Sequence, residues 1–444
     1  MYTNHLTEAE DESSLSSSSS SLSLSCPSPA TTPDSEFENG PAHHVRFPIS
    51  NDRFILVTGG LGYIGSHTCL ELLKQGYNVI IVDSLENSFH NVFTSIRKLA
   101  EEYCQKNGRF MPMLHFHKVD YRSKSMRFLL ESYSDLVTTT PTSPGGSPGL
   151  SSQSRIAGVI HFAAYKSVSE SILNPIQYYR NNVCGLVDFI ELLGKNNIRN
   201  FVFSSSATVY GTKADEGKPL REEDLVHHPE SYLDENGVEQ VRMPQVTGLL
   251  SPYARSKYFC EAILADIAYS DPAWRMVALR YFNPIGCDSS GLLGESPRNE
   301  PSNLYPVITQ VMTGQRAQLD VFGQDWDTRD GTAIRDFIHV SDLARGHIAA
   351  LDARINEPFR TFNLGTGCGT TVKEAVDSLQ VASGQTIPVN MTARREGDVG
   401  SCVAANGRSV KELGWRATES IEQCARDLWN FVCKAQVPSK TAQV

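Results

Sequence analysis

The sequence predicts an α/β protein that contains a doubly wound parallel sheet, and two observations support this fold class. The first is an apolar run that ends in three glycines and continues directly into a helical pattern, Phe54 to Gly65. The second is the regular alternation of short apolar segments with amphipathic helical segments as far as residue 283. Strands that are separated by helices pair in parallel through right-handed crossovers, which places helices on both faces of the sheet.

The alternation predicts strands whose carboxyl ends carry polar residues. The strands begin with the apolar run at Phe54 and continue at 78–82, 114–119, 158–163, 200–205 and 275–283. Helices are expected at 66–75, 92–105, 125–132, 175–195 and 252–268, with shorter ones at 340–353, 372–382 and 420–434. In open α/β sheets the ligand binds at the carboxyl ends of the strands. Asp83, Asp120, Phe162 to Ala164 and Ser204 to Ser206 lie at these ends.

Three glycines between the first strand and the first helix predict a dinucleotide site. Gly59 would allow a tight turn, Gly62 a close approach of backbone N–H groups to a pyrophosphate, and Gly65 close packing of the helix on the sheet. Asp83 follows about twenty residues later, where a carboxylate accepts hydrogen bonds from the adenosine ribose. Because Asp83 would repel the extra phosphate of NADP, NAD is the predicted cofactor. Taken alone, the glycines are also compatible with a plain strand-to-helix turn.

The composition fits two packed domains that act on a small molecule. The 444 residues carry a formal charge of −10 without a Lys/Arg cluster, which argues against nucleic acid or a membrane as the partner. Ten cysteines without CxxC pairs predict a reducing compartment and no metal site. Neither a signal peptide nor a membrane-spanning apolar run is recognisable, so we expect a cytosolic protein.

Two stretches of low complexity interrupt the pattern. Residues 1–50 carry a serine run and a Pro/Ser/Thr segment that cannot bury enough apolar area to fold, so we expect a disordered tail. A phosphorylation target and an unselected tail are both compatible with this composition. Residues 138–154 are expected to form a surface insertion between a helix and the next strand.

The segment Ser251 to Lys257 carries the sharpest chemical signal. Tyr253 and Lys257 stand four residues apart on a predicted helix and therefore project from one face. An ammonium near a phenol favours the phenolate, so we expect Lys257 and a bound nicotinamide to lower the pKa of Tyr253 and make it a general base. Ser206 would supply the hydroxyl that completes a set of tyrosine, lysine and serine. On its own, so short a motif is more often a surface cation beside an aromatic ring.

Eight segments between Phe54 and Phe431 match the pattern of one family. They are VTGGLGYIGSHT (57–68), VIHFAAYKSVSES (159–171), NFVFSSSATVYG (200–211), SPYARSK (251–257), LRYFNPIG (279–286), DGTAIRDFIHVSDLARGH (330–347), TFNLGTG (361–367) and RREGDVG (394–400). On these segments the chain resembles the extended short-chain dehydrogenase/reductases and, among them, the UDP-galactose 4-epimerase family.

The resemblance implies an organisation and a reaction. It implies a Rossmann-type NAD-binding domain at 51–283 and a smaller mixed α/β UDP-sugar-binding domain at 284–444, paired as a homodimer through the helices near Pro175 and Pro252. The implied reaction is reversible epimerisation of UDP-galactose and UDP-glucose at C4, through a 4-keto intermediate with tightly bound NAD. Tyr253 would remove the C4 hydroxyl proton, Ser206 would orient the C4 oxygen, and Lys257 would bind the nicotinamide ribose.

The resemblance also assigns contacts residue by residue. The implied NAD contacts are Gly59, Gly62, Tyr63, Ile64, Gly65, Asp83, Asn87, Ser88, Asp120, Tyr121, Phe162, Ala163, Ala164, Lys166, Asn181, Ser204, Tyr253, Lys257 and Phe282. The implied substrate contacts are Lys166, Ser206, Ala207, Thr208, Tyr253, Asn283, Asn303, Leu304, Asp320, Val321, Phe322, Arg335, Arg395, Asp398 and Cys402. Arg335 and Arg395 would bind the diphosphate, and Asp398 the uridine ribose. Ordinary core packing is the alternative for Leu304, Val321 and Phe322, and His161 and His339 are expected to be structural.

Three departures from the family pattern bear on the site. Ser302 replaces the first asparagine of the family's Pro-Asn-Asn-Leu, which puts that contact in doubt. The chain is longer than the family norm at about 230–250, where a surface loop and a lid are the open interpretations. Cys402 stands where some epimerases carry a tyrosine that narrows the sugar pocket. We therefore hypothesise that UDP-GlcNAc and UDP-GalNAc are also substrates.

Two other functions compete with this prediction. A nucleotide-sugar 4,6-dehydratase or decarboxylase begins with the same C4 oxidation, but those enzymes carry an acid where this chain has Ala207 and Thr208. A non-catalytic NAD-binding regulator would be marked by the loss of Tyr253 or Lys257, and both residues are present.

Overall fold

A seven-stranded parallel sheet forms the centre of the chain, which confirms the predicted fold class. The computed structural model describes residues 52–139, 149–234, 236–246, 248–298, 301, 303–395 and 398–436. The strands lie in the order Phe359–Leu364, Arg275–Tyr281, Asn200–Ser204, Ile156–His161, Phe54–Thr58, Asn78–Asp83 and Leu114–Lys118, and each neighbouring pair is parallel. The order reverses between Phe54–Thr58 and Ile156–His161, where such sheets bind their ligands.

Helices cover both faces of the sheet. They span Tyr63–Gln75, His90–Lys106, Lys124–Ser132, Val168–Leu173, Pro175–Tyr178, Gly185–Lys195, Pro252–Ser270, Leu304–Met312, Val340–Asp352, Val372–Ser383, Gly407–Leu413 and Ile421–Gln436, with a π-helical segment at Tyr179–Cys184 and 3₁₀ turns at Ala207–Glu216 and Glu222–Asp224. Because strand side chains alternate, Ile55 and Val57 join one apolar cluster, whereas Phe54 and Leu56 join another. The two clusters are the two halves of the core.

One part of the sheet comes from beyond the expected domain boundary. Strand Phe359–Leu364 pairs with Arg275–Tyr281 at the edge of the sheet, and helix Val340–Asp352 packs against helix Tyr63–Gln75. The boundary predicted at residue 283 therefore does not separate the sheet from the rest of the chain. The sequence does not signal strand Phe359–Leu364 as part of the sheet, because it follows a long irregular stretch after residue 283 that is rich in Gly, Pro and Asn. The two-domain division itself stays a prediction.

The irregular stretch after residue 283 and the segment that follows Leu364 together carry the smaller sheets. Short strands pair at Asn283–Ile285 with Phe337–His339, at Leu319–Phe322 with Val389–Thr392, and at Ile334–Arg335 with Thr370–Thr371 and Ser401–Cys402. An apolar cluster that includes Tyr305, Val376 and Leu428 packs beneath them. No described helix is long and apolar enough to cross a bilayer.

Both internal insertions contain antiparallel hairpins. Ser134–Thr139 pairs with Gly149–Ser154, between a helix and a sheet strand as expected for the low-complexity insertion. Glu230–Leu233 pairs with Glu239–Arg242 in the longer segment before the helix that carries Tyr253. None of its described residues lines the cavity at the carboxyl ends of the sheet strands, which favours the surface-loop interpretation over a lid. The serine-rich tail at 1–50 lies outside the described residues.

Three buried histidines link the stability of this core to pH. His161 Nδ1 lies 2.7 Å from Thr58 Oγ1, so His161 has the structural role that was expected. Burial lowers the pKa of His161 to about 3, and it lowers the pKa values of His67 and His347 to about 4. The unfolded chain takes up these protons near pH 6.5, whereas the folded chain does not. Their contribution to stability is therefore complete above pH 6.5 and is lost as the pH falls toward 4.

We expect His67, His161 and His347 together to lower the free energy of unfolding by about 4 kcal/mol per pH unit near pH 5, because each binds a proton only in the unfolded chain. Urea titrations between pH 7 and pH 5 measure this slope. His161→Gln keeps a polar group beside Thr58 and removes one titrating site, so its slope should be about one third smaller. A parent slope near zero over this range would contradict the expectation.

Candidate active site

One cavity of about 420 Å³ lies at the carboxyl ends of the strands. Every residue that the family resemblance assigns to NAD lines this cavity, from the glycine turn to Phe282. The three residues expected to act on the sugar, Tyr253, Lys257 and Ser206, line it as well. The structure therefore brings the two groups of residues together, while their individual roles stay predictions.

The glycine turn has no room for side chains. Gly59 has a φ of +70°, and a Cβ atom there would lie 2.8 Å from the backbone nitrogen of Ala163. A Cβ atom on Gly65 would lie 2.3 Å from the carbonyl oxygen of Gly59. Helix Tyr63–Gln75 begins at this turn without a capping side chain, so its first backbone N–H groups are available to an anion. This geometry fits the pyrophosphate of a dinucleotide.

Asp83 connects the turn to the second strand. Its Oδ2 accepts a hydrogen bond from the backbone N–H of Leu61 at 2.9 Å. Its Oδ1 accepts hydrogen bonds from the Leu85 N–H at 2.9 Å and from the Ser88 hydroxyl at 2.8 Å. The carboxylate thus has a fixed orientation at the cavity wall, as the ribose contact of NAD requires.

The helix Pro252–Ser270 positions the predicted base. Ser251 caps it by accepting a hydrogen bond from the Ala254 N–H at 3.1 Å, and Pro252 occupies the first turn. Tyr253 and Lys257 are both buried, as their spacing on one helical face predicts. The Lys257 ammonium donates a hydrogen bond to the backbone oxygen of Ser204 at 2.7 Å and lies 4.7 Å above the Phe203 ring.

The pKa values of this pair differ from the sequence-based expectation. Burial raises the pKa of Tyr253 well above its ordinary value, and Tyr281 raises it further, while the Ser206 hydroxyl acts in the opposite direction. Burial lowers the pKa of Lys257 to about 8. Without the cofactor, the pKa of Tyr253 is thus shifted upward, opposite to the expected direction, because burial dominates the shift. A bound, positively charged nicotinamide would favour the phenolate and lower the pKa of Tyr253, as the sequence predicts.

The predicted substrate residues fall into two groups. Those that line the cavity are Lys166, Ser206, Thr208, Tyr253, Asn283 and Asn303. A second group, which we call the arginine cluster, consists of Arg335, Arg395, Asp398, Phe322 and Cys402. Arg395 donates a hydrogen bond to Asp398 at 3.0 Å and lies 4.4 Å above the Phe322 ring. Ala207, Phe282 and Cys402 share one apolar cluster, which connects the arginine cluster to the cavity wall.

Arg335 is the less exposed of the two cations of the arginine cluster, with its side chain 16% exposed against 53% for Arg395. Its strand, Ile334–Arg335, pairs in parallel with Ser401–Cys402. The guanidinium donates to the backbone oxygens of Ile334 and Val399, both at 2.9 Å, and lies 4.0 Å from Asp398 Oδ1. Burial lowers the pKa of Arg335. A partly buried guanidinium held mainly by neutral carbonyls is a strong site for an added anion.

Three other predicted substrate residues are packed into the C-terminal part of the chain. Val321 is buried in the apolar core there, and Leu304 packs against the same core. Asp320 accepts a hydrogen bond from the Asn390 amide at 2.8 Å. These contacts favour the packing alternative for Val321 and Leu304. Ser302, whose contact was in doubt, lies outside the described residues.

Glu295 and Tyr281 are among the cavity-lining residues that the sequence did not predict. Glu295 accepts hydrogen bonds from Lys166 at 2.8 Å and from Asn303 at 3.2 Å. Tyr281 lines the cavity and influences the pKa of Tyr253. Strand alternation signals Tyr281, since it ends a sheet strand just before Phe282. Glu295 lies in an irregular stretch that has no periodic signal. Within the described ranges, no group of three His, Cys, Asp or Glu side chains could hold a metal ion.

Comparison with known proteins identifies the class. The model of the NAD dependent epimerase/dehydratase family matches residues 55–365, so the chain belongs to that family. Among curated relatives, UDP-glucose 4-epimerase 2 of Arabidopsis thaliana is 41% identical over 85% of this chain and 94% of the relative.

Solved structures agree. UDP-glucose 4-epimerase from Bifidobacterium longum, in complex with NAD+ and UDP, has a TM-score of 0.70 and 36% identity, covering 86% of this chain and 98% of its own. The Stenotrophomonas maltophila enzyme, with bound NAD and formylated UDP-arabinopyranose, has a TM-score of 0.71 and 34% identity at the same coverage of 86% and 98%.

Proposed function

We propose that this chain interconverts UDP-galactose and UDP-glucose by inverting the configuration at C4, with NAD as its cofactor. One observation carries the proposal: a single cavity is lined both by the glycine turn of a dinucleotide site and by Tyr253, Lys257 and Ser206. The similarity to UDP-glucose 4-epimerases over most of their length supports the same activity.

In the proposed reaction, one residue transfers the proton and two others orient the sugar and the cofactor. Bound NAD supplies a reversible hydride acceptor for C4, so the reaction has no net redox change. Tyr253 takes the proton of the C4 hydroxyl and later returns it, and Ser206 orients the C4 oxygen. Lys257 holds the nicotinamide ribose from its position against the Ser204 carbonyl. The 4-keto sugar must present its other face before C4 is reduced again.

The arginine cluster suits the uridine diphosphate half of the substrate. Arg335 and Arg395 supply positive charge for the diphosphate, and Asp398 supplies an acceptor for the uridine ribose. Phe322 offers an aromatic face at the same place. A fixed diphosphate leaves the sugar free to rotate about its linkage, which inversion at C4 requires.

Purified protein is expected to carry NAD and to convert UDP-galactose to UDP-glucose without an added oxidant. Chromatography of the nucleotide sugars measures the conversion, and absorbance of the denatured supernatant measures NAD. Strict dependence on external NAD with net NADH release would contradict the proposal. A 4-keto-6-deoxy product would identify a dehydratase, and bound NAD without turnover would identify a regulator.

We further propose that N-acetylated UDP-hexoses are substrates because Cys402 is small. Cys402 packs beside the cavity wall, and burial raises the pKa of its thiol to about 11, so it acts by size and stays neutral. Cys402→Tyr is expected to lower turnover of UDP-GalNAc by at least about 100-fold, because overpacking of a fitted pocket costs a few kcal/mol. Turnover of UDP-galactose should remain near that of the parent. Cys402→Ser, the matched control, should keep both activities, and equal loss of both in Cys402→Tyr would refute the idea.

A homodimer is the proposed assembly. Ile172, Leu173, Ile176 and Phe259 are apolar side chains on neighbouring helices, and each is 42% to 79% exposed. An exposed apolar patch of this kind is typical of a protein interface. Sedimentation should show twice the chain mass for the parent and a monomer for Leu173→Asp. Val381→Asp, which changes an exposed apolar residue on another helix, should remain a dimer.

A cytosolic location also stays a proposal, supported by nine free thiols among the described cysteines.

A further inference from the structure

Glu261 is a buried carboxylate that the chemistry above does not use. It lies on helix Pro252–Ser270, one turn beyond Lys257 and two turns beyond Tyr253. Tyr253, Lys257 and Glu261 are 5%, 3% and 0% exposed. Residues four apart lie on one face of a helix, so Glu261 extends the row that begins with the two predicted catalytic side chains.

Three consecutive serines lie opposite this row. The backbone oxygen of Ser204 accepts the hydrogen bond of Lys257 at 2.7 Å. The hydroxyl of Ser205 donates to Glu261 Oε1. The hydroxyl of Ser206 acts on Tyr253 and lowers its pKa. Each serine is thus matched with one residue of the row.

The sheet strand ends at Ser204, so ladder hydrogen bonds hold this segment only partly. The Ser205 N–H still donates to the Leu279 carbonyl at 2.9 Å, whereas Ser206 already caps the following 3₁₀ turn. The side chain of Ser205 consequently adds a link between the end of the strand and the helix Pro252–Ser270, beyond the two that involve Lys257 and Tyr253.

Glu261 is held as a charged acceptor. Arg280 donates to its Oε2 at 2.7 Å, and His227 lies 2.9 Å from the same oxygen. Burial alone would raise the pKa of Glu261, but these two partners, Arg280 above all, lower it to about 2. An ionised carboxylate only accepts hydrogen bonds, so the Ser205 hydroxyl must act as the donor and its rotation is fixed. Arg280 is itself 0% exposed and bonded to the Leu225 carbonyl at 2.9 Å.

We infer that Glu261 is a positioning residue for the C4 reaction. Through Ser205, it sets the distance at which the end of the strand presents the Ser204 carbonyl to Lys257 and the Ser206 hydroxyl to Tyr253. Glu261 touches neither the cavity nor the substrate, and Arg280 keeps it in place. The inference rests on the proposed epimerase activity for its kinetic test, and a tyrosine titration tests it separately.

Ser205→Ala is the decisive variant, because it removes the link and leaves the Glu261–Arg280 pair intact. We expect kcat to fall about 10-fold to 100-fold, since small displacements of catalytic groups have effects of this size. The KM for UDP-galactose and the NAD content should stay at parent values. Ser205→Thr, which keeps the hydroxyl, should restore turnover. Ser409→Ala removes a buried hydroxyl far from the cavity, bonded to the Asn406 carbonyl at 3.0 Å, and should leave kcat unchanged.

The titration of Tyr253 gives a readout that does not need turnover. In the holoenzyme, the difference in tyrosinate absorbance between the parent and Tyr253→Phe reports the pKa of Tyr253. The same difference measured in the Ser205→Ala background should give a higher pKa, because Ser206 is less well placed. An unchanged pKa and kcat would overturn the inference. The inference would also be overturned if Ser409→Ala lost kcat to the same extent as Ser205→Ala. The same holds if Ser205→Thr failed to restore turnover, or if the loss of kcat came with a loss of NAD.

Discussion

Tyr253→Phe is expected to lower kcat roughly 1,000-fold, within the range measured for general acid–base catalysts, while the protein folds and keeps its NAD. The ring of Tyr253 is buried, and its backbone N–H is bonded to the Ser171 hydroxyl at 3.1 Å. Phenylalanine retains the ring and the backbone contact, so only the proton-carrying oxygen is lost. Initial rates with UDP-galactose measure the loss, and the NAD released on denaturation measures cofactor content.

Tyr77→Phe is the matched control for Tyr253→Phe. Tyr77 is also buried, and its hydroxyl donates to Asp352 at 2.6 Å, away from the residues that line the cavity. The control should keep the parent kcat, although it loses a hydrogen bond worth about 1 kcal/mol of stability. Full turnover in Tyr253→Phe would remove Tyr253 from its role as the base.

Arg335→Met is expected to raise the KM for UDP-galactose about 100-fold, the cost of losing one charge-assisted hydrogen bond to a phosphate. The substitution should not unfold the protein, because Asp398 keeps its bond from Arg395 at 3.0 Å. Arg335 also lies outside the set of residues that lines the dinucleotide cavity, so NAD content should match the parent. Isothermal titration with UDP should show the same loss of affinity as the kinetics.

The control for Arg335 is Arg329→Met. Arg329 is half-exposed and forms a salt bridge with Glu374, and such surface pairs contribute little. We expect the parent KM in this variant. A KM increase of similar size in both variants would indicate a general effect of cation loss and would exclude Arg335 as a specific phosphate ligand.

The sequence predicts those parts of the site that local geometry defines. The glycine turn and the spacing of Tyr253 and Lys257 are local patterns, because a tight turn or a helical face involves only a few neighbouring residues. The structure accordingly brings them together in one cavity. The same applies to six of the seven strands of the sheet, since each is a short apolar segment bounded by a helix.

Long-range distances account for the failures. The upward pKa shift of Tyr253 is not visible in the sequence, because it comes from burial and from Tyr281, which lies on a different element. Glu295 escaped notice because its partner Lys166 lies 129 residues away in the chain. Strand Phe359–Leu364 was missed as part of the sheet for the same reason, since its neighbour ends at Tyr281.

The late strand Phe359–Leu364 limits how the segment proposed to bind the substrate can move. The chain leaves the sheet at Tyr281 and returns at Phe359 to the strand immediately beside it, so Phe322 and Arg335 sit on a segment with both ends fixed in one sheet. The other members of the arginine cluster follow Leu364 in the chain and are tied to this segment where Ser401–Cys402 pairs with Ile334–Arg335. A segment anchored twice cannot swing open on a single hinge, as a terminal domain could. Its adjustments to a rotating sugar must be small sliding motions. Such confinement would keep a 4-keto intermediate inside the protein between its two hydride transfers.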